Sequence, residues 1–168
     1  MDLEQQFVQH ISENQGIIHR VCRLYAAGQA DQEDLFQEIV LQLWRAYPRF
    51  RGEAKLSTWM YRVALNTAIS GLRQARRQPP LQPLSPGLSE RLPAGEAEET
   101  EASGRLHLAI QALPQLERAI ILLHLESYSY EEIADITGMT PNHVGVKLHR
   151  IRHKLRARLA RTTTHSSS

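Results

Sequence analysis

Residues 129–155 read SYEEIADITGMTPNHVGVKLHRIRHKL, and the fold turns on this stretch. Ser129 and Glu132 stand in S-x-x-E order, which predicts a capping box and a helix start. Ile133 and Ala134 follow on the inward side, and the small Ala134 allows a second helix to come close. Gly138 falls where a helix stops on a left-handed residue. Thr140 is placed to cap a second helix. Pro141 takes that helix's first position, where no amide donor is missed. Two helices across a short glycine-containing turn make a helix-turn-helix. On a helical wheel Val144, Leu148, Ile151, Leu155 and Leu159 share one face, the predicted core face. Asn142, Val146, His149 and His153 lie roughly opposite. His143, Lys147, Arg150, Lys154, Arg158 and Arg161 form a stripe along one flank.

The charge of this second helix is one-sided. Residues 141–161 hold seven bases and no acid, whereas residues 78–104 hold five acids against one arginine. The formal net charge of +2 hides that segregation. A DNA-reading helix needs short polar and basic groups near its N-terminus, for base edges, and a flank of bases for phosphates. Counterion release gives such a flank affinity without sequence information. A basic stripe by itself is more often the pattern of a solvated face than of a DNA contact; the capping box, glycine turn and Thr-Pro start favour DNA. A membrane-surface helix fits poorly, because the apolar face is narrow and lacks a Trp or Phe anchor. His149 and His153 are spaced to share a metal, but no third ligand stands near, so no metal site is expected.

The whole chain has 168 residues, enough for one ordinary domain or two small ones, and 42 % of them are apolar. No run alternates as strands do, so the expected fold class is all-α. Prolines recur at 79, 80, 83, 86 and 93, ahead of an acidic run of small residues. That composition cannot bury enough apolar surface to offset its ordering entropy. Residues 78–104 are therefore expected to be a flexible linker between helical modules at 1–77 and 105–161, with a disordered tail at 162–168. Cys22 is the only cysteine, which excludes an internal disulfide. With no signal-peptide pattern and no membrane-length apolar run, a cytoplasmic protein without membrane insertion is expected. No paired carboxylates, Ser/His/Asp set or phosphate-binding glycine loop is visible. An enzyme is not expected, nor is a cofactor.

In the first module, Asp31 and Asp34 predict the start of a helix carrying Phe36, Val40, Leu43, Trp44 and Tyr47, widened by Leu35 and Ile39. Pro48 ends it, and RFRGEAKL, residues 49–56, reads as a loop. Ser57 or Thr58 is expected to cap the next helix, with Trp59, Val63, Ala64, Asn66, Ile69 and Leu72 along it. That helix carries Arg62, Arg73, Arg76 and Arg77 and no acid. Aromatics interleaved with bases, here Trp59 and Tyr61 after a loop with Phe50, Arg51 and Lys55, suit single-stranded DNA. The same two aromatics could instead be core residues.

Residues 31–73, DQEDLFQEIVLQLWRAYPRFRGEAKLSTWMYRVALNTAISGLR, resemble region 2 of bacterial sigma-70 family factors, most of all the extracytoplasmic-function branch (ECF, group IV). Residues 125–159 are similar to that family's region 4 helix-turn-helix. The resemblance spans both modules, in the right order, and the short chain fits a branch that keeps only these two regions. It implies a sigma factor that binds RNA polymerase core and directs initiation through −10 and −35 elements. By position, Asp34, Gln37, Glu38 and Leu41 would dock on the β′ clamp helices. Phe50, Arg51, Lys55, Trp59, Arg62, Asn66, Arg73, Arg76 and Arg77 would open and hold −10 DNA, with Asn66 reading a flipped base. Thr140, Asn142, His143, Lys147, Arg150 and Lys154 would meet −35 DNA. Region 4 would also rest on the β flap, and the acidic linker would follow the RNA exit path. Regulation is expected from a separate anti-sigma factor. The chain departs from the family pattern at Gly145, where many relatives carry a base. An ordinary helix-turn-helix regulator is the competing reading.

Overall fold

A computed structural model describes residues 2–77 and 100–165 of the chain. These fold into two compact units, and every described element is a helix or a helical turn. The first unit holds α1 (Leu3–Glu13), α2 (Gln15–Tyr25), α3 (Gln29–Ala46) and α4 (Leu56–Arg77), with a 3₁₀ turn at Tyr47–Arg49. The second holds α5 (Glu101–Gln111), α6 (Gln115–Leu125), α7 (Tyr130–Thr137) and α8 (Pro141–His165).

Helix starts in the first unit follow local chemistry. Asp2 and Gln5 close a capping box on α1, with Asp2 accepting from the Gln5 amide at 2.8 Å. Gly28, extended at φ −117° and ψ 162°, precedes α3, and its carbonyl accepts from the Gln32 amide at 2.9 Å. The helix thus begins two residues before the expected Asp31. Asp31 instead sits in the first turn, where its charge favours the helix dipole. The expected cap of α4 is also displaced. The Lys55 carbonyl accepts from the Trp59 amide at 3.0 Å, so Ser57 and Thr58 lie inside the first turn.

The core of this unit is made by α2, α3 and α4. Ile18, Val21, Ile39, Leu43 and Met60 are fully buried, and Tyr61, Ala64, Leu65 and Ala68 join them. Of the expected α4 line, Ala64 is buried, Trp59, Val63 and Ile69 are half-buried and Asn66 is exposed, so the buried face is rotated by about one residue. Small Ala64 and Ala68 let α4 lie close to its neighbours. On α3 the expected stripe divides. Ile39 and Leu43 go fully inside, Phe36 and Val40 are half-buried, and Trp44 remains exposed. Cys22 is buried, which pushes its thiol up to about 12, so it stays protonated and poorly nucleophilic at neutral pH.

In the second unit, Thr100 caps α5 by accepting from the Ser103 amide at 3.1 Å. Residues 101–104, expected to be linker, thus form the first turn of α5; residues 78–99 of that span lie outside the described residues. At the other end α8 runs to His165, four residues into the expected disordered tail, and residues 166–168 lie outside the described residues. Between α6 and α7, Ser127 adopts φ 68°, and the Tyr128 amide reaches back to the Leu123 carbonyl at 3.0 Å. This is a Schellman closure with serine where glycine is usual.

The core here is Ile120, Leu123, Ile133, Val144, Leu148 and Ile151, all fully buried. The expected core face of α8 is the observed one, with Leu155 buried and Leu159 half-buried. Two polar contacts reinforce it. Lys154 Nζ donates to both oxygens of Glu117, at 2.9 and 3.0 Å, and Glu117 is only 6 % exposed. Arg152 Nη2 lies 2.7 Å from His124 Nε2, a contact that requires a neutral imidazole accepting from the guanidinium.

That second contact has a pH signature. Burial, and then the Arg152 charge, hold the His124 pKa below its ordinary value of 6.5. The stabilisation is therefore fully present above about pH 6.5 and is lost as pH falls through the lower folded value. Chemical denaturation is expected to show acid weakening that is smaller in His124→Gln. An equal weakening in both proteins would contradict the assignment.

Candidate nucleic-acid interface

The α7–α8 pair is a helix-turn-helix in every local detail. Ser129 Oγ accepts from the Glu132 amide at 3.1 Å, and Glu132 accepts from the Ser129 amide at 3.3 Å. Gly138 closes α7 in the left-handed region, at φ 78° and ψ 16°, where an L side chain is strained. The Gly138 and Met139 amides both reach the Ala134 carbonyl, at 2.8 and 3.1 Å. Thr140 Oγ1 then accepts from the His143 amide at 3.2 Å, and Pro141 opens α8.

With one face of α8 buried, the opposite face is fixed. Asn142, His143, Val146, His149, Arg150 and His153 are exposed on it, while Lys147 is half-buried at its side. Thr140 serves as a cap, so its hydroxyl is already engaged. Lys154 stands apart from the other expected phosphate contacts, because its ammonium is held by Glu117. This link joins residues 37 apart in sequence and leaves no local sign. Sequence reasoning also passed over a shallow cleft that Tyr130 makes with Pro141, Asn142, Gly145, Val146, His149 and Arg150.

In the first unit the expected −10 residues fall into an aromatic group and a helix face. Phe50 packs on Trp59 with ring centroids 4.9 Å apart, and Tyr47 lies 6.1 Å from Trp59. Phe7 continues the chain to Tyr47 at 5.2 Å and to Trp44 at 5.0 Å. Trp59 is half-buried, so it belongs neither wholly to the core nor wholly to the surface. Tyr61 is 1 % exposed and is a core residue, which removes it from any base-stacking surface. Arg51, Lys55 and Asn66 are exposed and Arg62 is half-buried. Arg62 and Asn66 are four apart on α4 and share a face. The positions of Arg73, Arg76 and Arg77 extend α4, and their side chains lie outside the described residues.

A second surface runs along α3. Asp34, Gln37, Glu38 and Leu41 are all exposed. Gln37 and Leu41 line an open groove with Phe7, Phe36, Val40 and Trp44. Glu38 accepts from Gln42 Nε2 at 2.9 Å. His19 stacks on Phe36 at 4.9 Å, and burial followed by the Arg23 charge holds its pKa low. The groove is apolar, and the acids Asp34 and Glu38 are exposed on the same helix without lining it. Among the described residues no three or more His, Cys, Asp or Glu side chains gather as a metal site, and no helix is long and apolar enough to cross a membrane.

Known proteins share this layout. Residues 10–78 match the family described as sigma-70 region 2, and residues 103–155 match sigma-70, region 4. The ECF RNA polymerase sigma-E factor of Escherichia coli K12 is 32 % identical over 159 residues, covering 82 % of this chain and 79 % of that protein. The chain belongs to the extracytoplasmic-function branch of the sigma-70 family. It is an RNA polymerase sigma factor that directs promoter-specific transcription. The ECF sigma factor SigG of Mycobacterium tuberculosis H37Rv is 31 % identical, over 74 % of this chain and 41 % of its own length. Among solved structures, the sigma factor RpoE of Bartonella quintana, in complex with the anti-sigma factor NepR, has a TM-score of 0.69 at 19 % identity. It covers 93 % of this chain and 98 % of its own. CnrH, in complex with the cytosolic domain of CnrY, has a TM-score of 0.67 at 20 % identity, covering 94 % of this chain and 89 % of its own. In this sigma factor, regions 2 and 4 thus correspond to the two compact units.

Proposed function

We propose that the three surfaces divide the work of initiation. The α3 groove, with Asp34, Gln37, Glu38 and Leu41, docks on the β′ clamp helices of RNA polymerase core. The Phe50–Lys55 loop and the Trp59–Arg62–Asn66 face of α4 open and hold −10 DNA, and Arg73, Arg76 and Arg77 add phosphate contacts. The exposed face of α8 reads the −35 element in the major groove through Asn142, His143, Lys147 and Arg150. Lys154 is assigned a packing role with Glu117 instead. Region 4 rests on the β flap, and the acidic segment before α5 follows the RNA exit path. The protein acts in the cytoplasm as an initiation factor, without chemistry of its own. An anti-sigma factor restrains it; of the similar folds, RpoE was solved in complex with the anti-sigma factor NepR and CnrH with the cytosolic domain of CnrY.

The observation that carries the docking assignment is the pairing of exposed Leu41 and Trp44, 41 % and 39 % accessible, with Glu38 one turn before Leu41 and Asp34 one turn before Glu38. Large apolar groups held at a surface beside charge mark an interface with a partner of complementary charge. Leu41→Lys keeps the helix but removes the apolar contact and reverses the local charge. It is expected to weaken binding of the full chain to core polymerase roughly 10- to 100-fold. A fluorescence titration with labelled protein measures this directly, and an unchanged affinity would move the docking site elsewhere.

A further inference from the structure

Val146 is an aliphatic side chain placed where a DNA-reading helix ordinarily offers polar groups. It is 44 % exposed, on the side of α8 opposite buried Val144 and Leu148. One turn before it stands Asn142 and one turn after it Arg150, both exposed. Beside it, the half-exposed ring of Tyr130 lies against Gly145. A Cβ at that position would stand 3.3 Å from Tyr130 Cε2 and 3.7 Å from Cδ2, so the ring would have to yield. The missing side chain at 145 lets the ring edge sit a few tenths of an ångström closer to α8 than a Cβ would allow. Tyr130, Pro141, Gly145 and Val146 together wall a shallow cleft that is mostly carbon.

What the cleft takes must be apolar at the point of contact and anionic around it, because residues 141–161 carry seven bases and no acid. Duplex DNA meets both conditions. Thymine is the one base that presents a methyl group in the major groove. We propose that Val146 is a specificity-determining contact that seats the C5-methyl of a thymine in the −35 element, with Tyr130 as the far wall of the cleft. Gly145 is a positioning residue that keeps the Tyr130 ring against α8. The proposal rests on the reading of α8 as the −35 reader. It adds a purely apolar contact to the polar ones already assigned there.

Holoenzyme reconstituted from core polymerase and the full chain selects its preferred −35 sequences from a promoter library. Each thymine of the selected element is then replaced in turn by deoxyuridine, which removes the methyl group and nothing else. At one position the wild-type holoenzyme is expected to lose about fourfold in affinity, the weight of one methyl-sized apolar group. Val146→Ser and Val146→Ala holoenzymes are expected to bind thymine and deoxyuridine equally at that position. Both substitutions fall on exposed surface, and circular dichroism checks that α8 is kept. Deoxyuridine without effect at every position overturns the proposal, as does an equal loss in wild type and both variants. Absence of any −35 sequence selection would instead overturn the underlying reading of α8.

Discussion

Leu148→Ala is expected to abolish −35 recognition although Leu148 touches no DNA. The side chain is fully buried at the centre of the α8 core face, among Ile120, Leu123, Ile133 and Ile151. Truncating a buried leucine removes its transfer free energy and leaves a cavity, together about 2–5 kcal/mol. A single core in a unit this small rarely supplies more than about 3–5 kcal/mol, so the loss is of the same size as the total. The expected result is a large fall in the denaturation midpoint of region 4, with promoter binding lost in parallel. Core binding through the proposed α3 docking surface is expected to be retained, because that surface belongs to a separate compact unit. A variant with unchanged stability that still failed to bind promoter would make Leu148 a contact residue and contradict the packing described here.

Arg150→Ala is the complementary case, a loss of contact without a loss of fold. Arg150 is exposed, one turn from Val146 on the outer face of α8. If it pairs with a guanine edge, its removal costs roughly 10- to 100-fold in affinity and relaxes selection at one base pair. If it pairs with a phosphate, affinity falls evenly across sequences, and the slope of log affinity against log salt drops by about one. Binding titrations at several salt concentrations separate the two. An affinity and slope both equal to wild type would take Arg150 out of the interface.

These two residues also show why some features could be read from the chain and others could not. The helix-turn-helix is written in local code. Ser129 with Glu132, Gly138, and Thr140 with Pro141 each act within a few residues, and each is seen doing so. The core face of α8 was legible because one strong apolar period runs through it. Helix α4 carries two overlapping apolar lines one residue apart, and only packing against α2 and α3 chooses Met60, Tyr61 and Leu65 over Trp59 and Val63. Trp59 shows the limit of composition. Its ring is held by Phe50 and Tyr47, a compromise between core and surface that no spacing rule expresses. Lys154 looked like one more member of a basic flank until Glu117, distant in sequence, was found under it. Gly145 reads only as a missing base until the Tyr130 ring is seen beside it. The surface of α3 was legible as polar residues, but its apolar groove appears only when Phe7 of α1 joins the lining.

Run-off transcription tests the central claim most directly. Purified protein is added to core polymerase on a randomised promoter library, and the transcripts are sequenced. The account predicts initiation that depends on this protein, from templates sharing a paired −35 and −10 element at fixed spacing. Core polymerase that binds the protein yet initiates no more selectively than core alone would contradict it.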